Sequence, residues 1–328
     1  MGDLRVGLIG LGAMGRHHAR VIRQTPGMDL VAVADPGGDV HGVAGELAVL
    51  GDVEALIEVG LDAAMVAVPT VHHEQVGMAL AAAGVHTMIE KPIAHSAAAG
   101  QRVADAFSRA GLVGAVGYVE RCNPAILELR RRLAAGELGQ VYQIQTRRQG
   151  PFPARISDVG VVKDLATHDV DLTTFIAGSR YRQVAAQVTH RSGREHEDMV
   201  VATGLLESGV IVNHVVNWLS PMKERTTVVT GERGAFVADT MTGDLTFYAN
   251  GTVPTTWDRV AHFRGVTEGD VVRYAVPKAE PLRVEQENFR DAVQGKGATI
   301  VTMDEGVHTL TVIEAILQAA EEGRTVTL

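Results

Sequence analysis

Five short apolar runs separated by amphipathic stretches occupy residues 4–117, and this alternation limits the possible folds more than any other feature of the 328-residue chain. The runs are Val6–Ile9, Leu30–Ala34, Ala63–Val68, His86–Ile89 and Val113–Val116. They are apolar almost throughout, as strands covered by helices on both faces must be. Met14–Gln24, His41–Leu50, Val53–Val59, His73–Ala83 and Ser96–Ala110 lie between or after them with helical spacing. The pattern predicts a doubly wound α/β domain with a parallel sheet.

Past Asn123-Pro124 one more helix is predicted at Ala125–Ala135, and then the character changes. Val141–Arg148, Gln183–His190, Met199–Leu206, Val210–Trp218, Arg225–Thr230, Ala235–Asp239 and Leu245–Tyr248 are β-rich and separated by turn residues such as Glu207-Ser208-Gly209. They predict a largely antiparallel sheet, accompanied by helices at Leu165–Ile176, Val284–Val293 and Asp304–Glu322. Thr252–Pro281 has weak periodicity and receives no assignment. The expected organisation is an α/β domain over 1–122 and an α+β domain over 123–328, in line with ~100–200 residues per domain.

Composition narrows the classes of function. A formal charge of −9 without a basic patch speaks against a nucleic-acid surface, and the tight run Arg130-Arg131-Arg132 is flanked by Glu128 and Glu137. One cysteine, Cys122, permits no internal disulfide and no cysteine-based zinc site. Neither an export signal nor a ~20-residue apolar span is visible, so a cytoplasmic protein without membrane partners is expected.

Gly10-Leu11-Gly12-Ala13-Met14-Gly15 follows the first strand at once and opens the first helix. Gly10 allows the tight turn, Gly12 admits a pyrophosphate to the backbone, and Gly15 lets helix and strand pack closely. Asp35 ends the second apolar run about 20 residues on, where a carboxylate accepts bonds from ribose hydroxyls. It repels a 2′-phosphate, and Pro36-Gly37-Gly38 has no arginine to hold one, which favours NAD over NADP. Together these mark a Rossmann dinucleotide site. Pro69, Thr70 and His73 follow the third run at the same edge, where they are expected to line the nicotinamide half. The adjacent pairs His72-His73 and His17-His18 read as ordinary helix residues, and no metal set is expected.

Glu90-Lys91-Pro92 closes the fourth run and brings Glu90 and Lys91 to that edge, where both are expected at the cofactor and the lysine ammonium can hold a substrate hydroxyl and steady a developing alkoxide. A cis Lys91-Pro92 bond is compatible with such a turn. Farther on, Asp164 and His168 stand four apart at the start of a predicted helix and so share a face. Spacing alone favours a cap and a packed imidazole over a carboxylate steering a base.

These residues, in this order, resemble the glucose-fructose oxidoreductase, inositol dehydrogenase and rhizopine catabolism family (Gfo/Idh/MocA): Gly10 to Gly15, Asp35, Pro69 with His73, Glu90-Lys91-Pro92, and Asp164 with His168 and Asp171. The resemblance implies an NAD-dependent oxidoreductase that oligomerises, as a homodimer or homotetramer, through its open sheet. It also implies that Lys91, Asp164 and His168 match the family's catalytic positions. Ala166 stands where members often carry glycine. Val116–Ala125, Arg148–Arg155 and Asp158–Val162 resemble the branch of UDP-N-acetylglucosamine 3-dehydrogenases, although Cys122 stands where that branch usually has phenylalanine. Arg148 and Arg155 are therefore candidates for pairing with a substrate diphosphate. The expected reaction is hydride transfer between NAD and a sugar secondary alcohol, C3 of a nucleotide sugar foremost. The rival expectations are an inositol or aminocyclitol dehydrogenase and a regulator that binds NAD without chemistry.

Overall fold

The computed structural model of the chain describes residues 2–153, 159–251 and 267–328. They divide into two compact units, Met1–Val119 with Glu280–Glu314, and Glu120–Ala279 with Ala315–Leu328.

The first unit is built on a six-stranded sheet of β1 (Leu4–Ile9), β2 (Met28–Ala34), β3 (Val49–Leu50), β4 (Ala63–Val66), β5 (His86–Glu90) and β6 (Gly114–Gly117). The order is β3-β2-β1-β4-β5-β6 and every pair is parallel. Val6, Leu8 and all four residues of β4 are buried, which is why these strands carry no polar alternation. Helices α1 (Gly15–Gln24), α2 (Val53–Glu58), α3 (His73–Ala82) and α4 (Ala97–Ala110) connect them. The Asp52 and Ser96 side chains cap α2 and α4 by accepting from Ala55 N and Ala99 N. With the chain order reversing beside β1, the carboxyl ends of β1 and β4 flank the switch point at which such sheets hold ligands.

Two expectations are corrected here. Residues 41–50 form turns followed by β3, not a helix. Gly42 and Gly45 take positive φ, the Asp39 carboxylate accepts from the backbone of His41, Val43 and Ala44, and Arg23 donates to the carbonyls of Val43 and Ala44. Those side chains occupy the groups that an α-helix would pair internally. The helix at 284–293, grouped with the second half by sequence, is α7 (Pro281–Val293) and packs on α1, where Phe289 joins the core of Val6, Leu8 and Ile22.

The second unit contains α5 (Pro124–Ala134), α6 (Thr167–Ala177) and, among the described residues, a nine-stranded mixed sheet. Its strands are β7 (Val141–Pro151), β8 (Tyr181–Thr189), β9 (Met199–Leu206), β10 (Ile211–Asn217), β11 (Leu219–Gly231), β12 (Gly234–Asp239), β13 (Asp244–Gly251), β14 (Thr267–Tyr274) and β15 (Val326–Thr327). The order is β14-β13-β12-β11-β7-β10-β9-β8-β15, antiparallel except where β7 pairs β10. One face, with Ile144, Val212, Val216 and Val229, is buried, and α6 packs on β7. The other carries Val201 and Ile211 at 45% and 53% exposure. A last helix, α8 (Met303–Glu322), grouped wholly with the second half by sequence, belongs to the first unit as far as Glu314 and to the second from Ala315, where it leads to β15; β14 lies in the stretch that sequence left unassigned. Among the described residues no helix is long and apolar enough to cross a membrane.

Candidate functional site

The glycine-rich loop leaves β1 at its carboxyl end and enters α1. Gly10 has φ 92°, and a Cβ there would lie 2.5 Å from the carbonyl oxygen of Ala67, while one on Gly15 would lie 1.9 Å from that of Gly10. Only glycine closes this turn. A Cβ on Gly12, by contrast, meets nothing within 4 Å, and Gly12, Ala13 and Met14 are exposed. The loop therefore presents bare backbone to open space, and no side chain caps the α1 N-terminus behind it. That is a cradle a dinucleotide phosphate fits. Asp35, at the end of β2, accepts from Leu11 N and Gly37 N, both at 2.8 Å, one on each carboxylate oxygen. Each oxygen keeps a further lone pair, which is what a pair of ribose hydroxyls needs.

Pro69 and Thr70 lead into a 3-10 turn, Thr70–His72, beyond β4. His73 follows and opens α3. It is buried, with its ring nitrogens 2.8 Å from the carbonyl of Pro92 and 2.9 Å from that of Val68. Burial holds the imidazole below its usual pKa, against the two carbonyls, which favour the protonated ring. His73 thus ties the chain beyond β4 to the turn beyond β5.

Lys91 is half-buried at the carboxyl end of β5, and its bond to Pro92 is cis. The Glu90 carboxylate beside it accepts from His18 Nε2 at 2.7 Å and from Lys91 N at 3.2 Å. Burial pushes the Glu90 carboxyl up, but the hydrogen bond from His18, with Lys91, outweighs burial and holds it below the usual range.

In the second unit Asp164 and His168 are half-buried at the start of α6, but the path between them is not a plain α-helix. Val162–Ala166 is a π-turn in which Thr167 N reaches Val162 O, and the Glu197 carboxylate accepts from Val162 N at 3.0 Å. Asp164 sits in that turn and His168 in the α-helix after it, so the four-residue spacing spans a change of helix type. Such turns recur at functional sites.

Beneath α6 lies an ionic cluster that sequence did not predict. Arg148 donates through Nε to both oxygens of Asp169 at 3.2 Å and through Nη1 to Glu120 at 2.9 Å, and Arg225 donates to Glu120 at 3.2 Å. Arg121 makes a two-pronged pair with Asp171 at 2.8 and 2.6 Å. Burial lifts the Asp169 carboxyl to about 6 against the pull of Arg148. Arg148 is only 3% exposed and its charge is balanced by two carboxylates, which corrects the expectation that it pairs with a substrate diphosphate. Arg155 lies outside the described residues. The one available signal was charge beside apolar residues: Glu120-Arg121 before Cys122, and Asp169 and Asp171 on either side of Val170 in α6.

A second buried chain joins the sheet to the same helix. Thr173 Oγ1 donates to the carbonyls of Asp169 and Val170, so the Tyr181 hydroxyl, 2.6 Å away, must donate to it. His214 Nε2 then donates to Tyr181 at 2.8 Å, and Thr146 donates to His214 Nδ1 at 2.7 Å. Burial lowers the His214 pKa to about 4 and keeps the ring neutral.

Comparison with known proteins agrees with this division of labour. Residues 4–118 match the family model described as the oxidoreductase family, NAD-binding Rossmann fold, and residues 126–237 match the GFO/IDH/MocA C-terminal domain. The chain is 31% identical over 193 residues to scyllo-inositol 2-dehydrogenase (NAD(+)) of Bacillus subtilis, covering 56% of each protein. It is 32% identical over 213 residues to UDP-N-acetylglucosamine 3-dehydrogenase of Acidithiobacillus ferrooxidans, covering 64% of this chain and 66% of that one. The chain thus matches less than two thirds of the length of either relative. A solved structure of the Acidithiobacillus ferrooxidans enzyme superposes with a TM-score of 0.83 at 26% identity, covering 98% of this chain and 99% of that one.

Proposed function

Since the chain belongs to the Gfo/Idh/MocA family, we propose that it is an NAD-dependent dehydrogenase that oxidises a secondary alcohol of a sugar or reduces the corresponding ketone. The observation that carries this reading lies within the first unit: the open glycine loop at the end of β1 and Lys91 at the end of β5 share the carboxyl edge of one parallel sheet. Gly10, Gly12, Ala13, Met14, Gly15 and Asp35, with Pro69, Thr70 and Glu90, would hold NAD, which when bound would supply the hydride acceptor. Lys91 donates a hydrogen bond to the substrate oxygen and steadies it as it gains negative charge. His168 accepts the hydroxyl proton, and Asp164 selects the ring tautomer and steadies the imidazolium.

We further propose a nucleotide sugar as substrate, oxidised at C3 of a UDP-N-acetylhexosamine. Its support is the likeness to UDP-N-acetylglucosamine 3-dehydrogenase in sequence and, over nearly the whole chain, in fold. Arg148 lends no support, since its charge is taken up internally. A free cyclitol is the second reading, favoured by the 31% identity to scyllo-inositol 2-dehydrogenase. NADH absorbance with UDP-N-acetylglucosamine and with scyllo- and myo-inositol separates them: turnover of the UDP-sugar is expected, and turnover of inositols alone rejects the nucleotide sugar. For assembly we propose copies meeting through the open face of the second sheet, where Val201 and Ile211 are exposed.

A further inference from the structure

His18 lies on α1, one turn past the glycine loop, and is only 2% exposed. Its Nε2 is 2.7 Å from Glu90 Oε1, and its Nδ1 is 2.9 Å from the side-chain nitrogen of Gln286 on α7, which is fully buried. The same Gln286 nitrogen also faces the backbone carbonyl of His18 at 3.5 Å. A carbonyl only accepts, so it is the NH2 end of the amide that points inward, and Nδ1 must accept from it. The ring proton is therefore on Nε2 and is given to Glu90. The other carboxylate oxygen accepts from Lys91 N. A continuous relay thus runs from α7 through α1 to the backbone of Lys91, every link of it in the first unit.

Packing alone does not call for this arrangement, because apolar side chains of similar volume fill such a space at no loss of stability. The relay instead fixes where one negative charge sits: on the carboxylate that directly precedes Lys91 at the ligand edge of the sheet. An oxidised nicotinamide ring is cationic and the reduced ring is neutral, so a fixed carboxylate near that end of the cofactor discriminates between them.

We propose that His18, oriented by Gln286, is a positioning residue that aims the Glu90 carboxylate and thereby favours NAD+ over NADH. The proposal rests on the assignment of the first unit as the NAD site. It is tested by calorimetric dissociation constants of NAD+ and NADH for the full chain and the variants His18→Phe, His18→Gln, Glu90→Gln and His18→Phe/Glu90→Gln, with circular dichroism to verify folding. His18→Phe and Glu90→Gln should each weaken NAD+ about 10-fold, the scale of one lost charge interaction in a partly buried site, and leave NADH within about 2-fold. The double variant should be no worse than either single one, because both remove the same interaction. His18→Gln, whose amide still donates to Glu90, should recover much of the NAD+ affinity. Equal weakening of both nucleotides, unchanged NAD+ affinity, or additive losses in the double variant overturns the proposal. If His18→Phe does not fold, the comparison of His18→Gln with Glu90→Gln decides by the same ratio. A wild-type chain that binds neither nucleotide defeats the NAD assignment and this proposal together, whereas one that binds both and oxidises no sugar defeats only the catalytic reading.

Discussion

The roles proposed for Lys91 and His168 are separable, and each predicts its own loss. Lys91→Ala or His168→Ala should lower turnover by more than ~100-fold while NAD affinity stays nearly intact, as expected when a group acts mainly in the transition state. Steady-state rates beside calorimetric NAD binding test this, and an unaltered rate removes the residue from the mechanism. Asp35→Ala should narrow the preference for NAD over NADP, because the repulsion of a 2′-phosphate goes with the carboxylate. An unchanged ratio of kcat/KM for the two nucleotides contradicts the ribose assignment. The glycine loop and Asp35 were legible in sequence because their spacing is tied to consecutive strands. Arg148 was not: alternation along β7 reveals neither that Glu120 and Asp169 close around it nor that it is buried. His73 and His18 were equally opaque, since their partners are carbonyls of remote turns, a carboxylate and an amide 268 positions away.

At the level of elements, α6 is braced by the chain Thr146, His214, Tyr181 and Thr173, and this brace responds to acid. His214 has a folded pKa of about 4 against an ordinary 6.5, so between those values the unfolded chain binds more protons there. Its contribution to stability is complete above about pH 6.5 and is lost as pH falls toward 4, at up to ~1.4 kcal/mol per pH unit. Asp169, raised to about 6, acts in the opposite direction, losing stability as pH rises from 3.8 through 6. Comparison with His214→Gln isolates the histidine: urea unfolding from pH 7.5 to 5 should show a steeper loss in the wild type, and parallel profiles refute the assignment. Strands and helices buried on both faces were readable as apolar runs, whereas 41–50 has helical spacing but glycines and an Asp39 cap that favour turns. The π-turn at Val162–Ala166 leaves no periodic trace over five residues.

For the whole molecule, sequence showed two architectures in succession but not the return of α7 to the first unit, because its apolar face identifies a buried helix without saying which core receives it. If copies meet through the open sheet, Val201→Arg with Ile211→Arg should lower the mass in solution to that of one chain, measured by light scattering, and an unchanged mass excludes that face. Transfer of hydride from a sugar carbon to NAD is measured most directly by mass spectrometry of the reduced cofactor after incubation with NAD and UDP-N-acetylglucosamine deuterated at C3. Deuterium recovered in the nicotinamide with the wild type, and lost with His168→Ala, is the predicted result; reduced cofactor carrying no label, or none formed with any sugar or cyclitol, contradicts it.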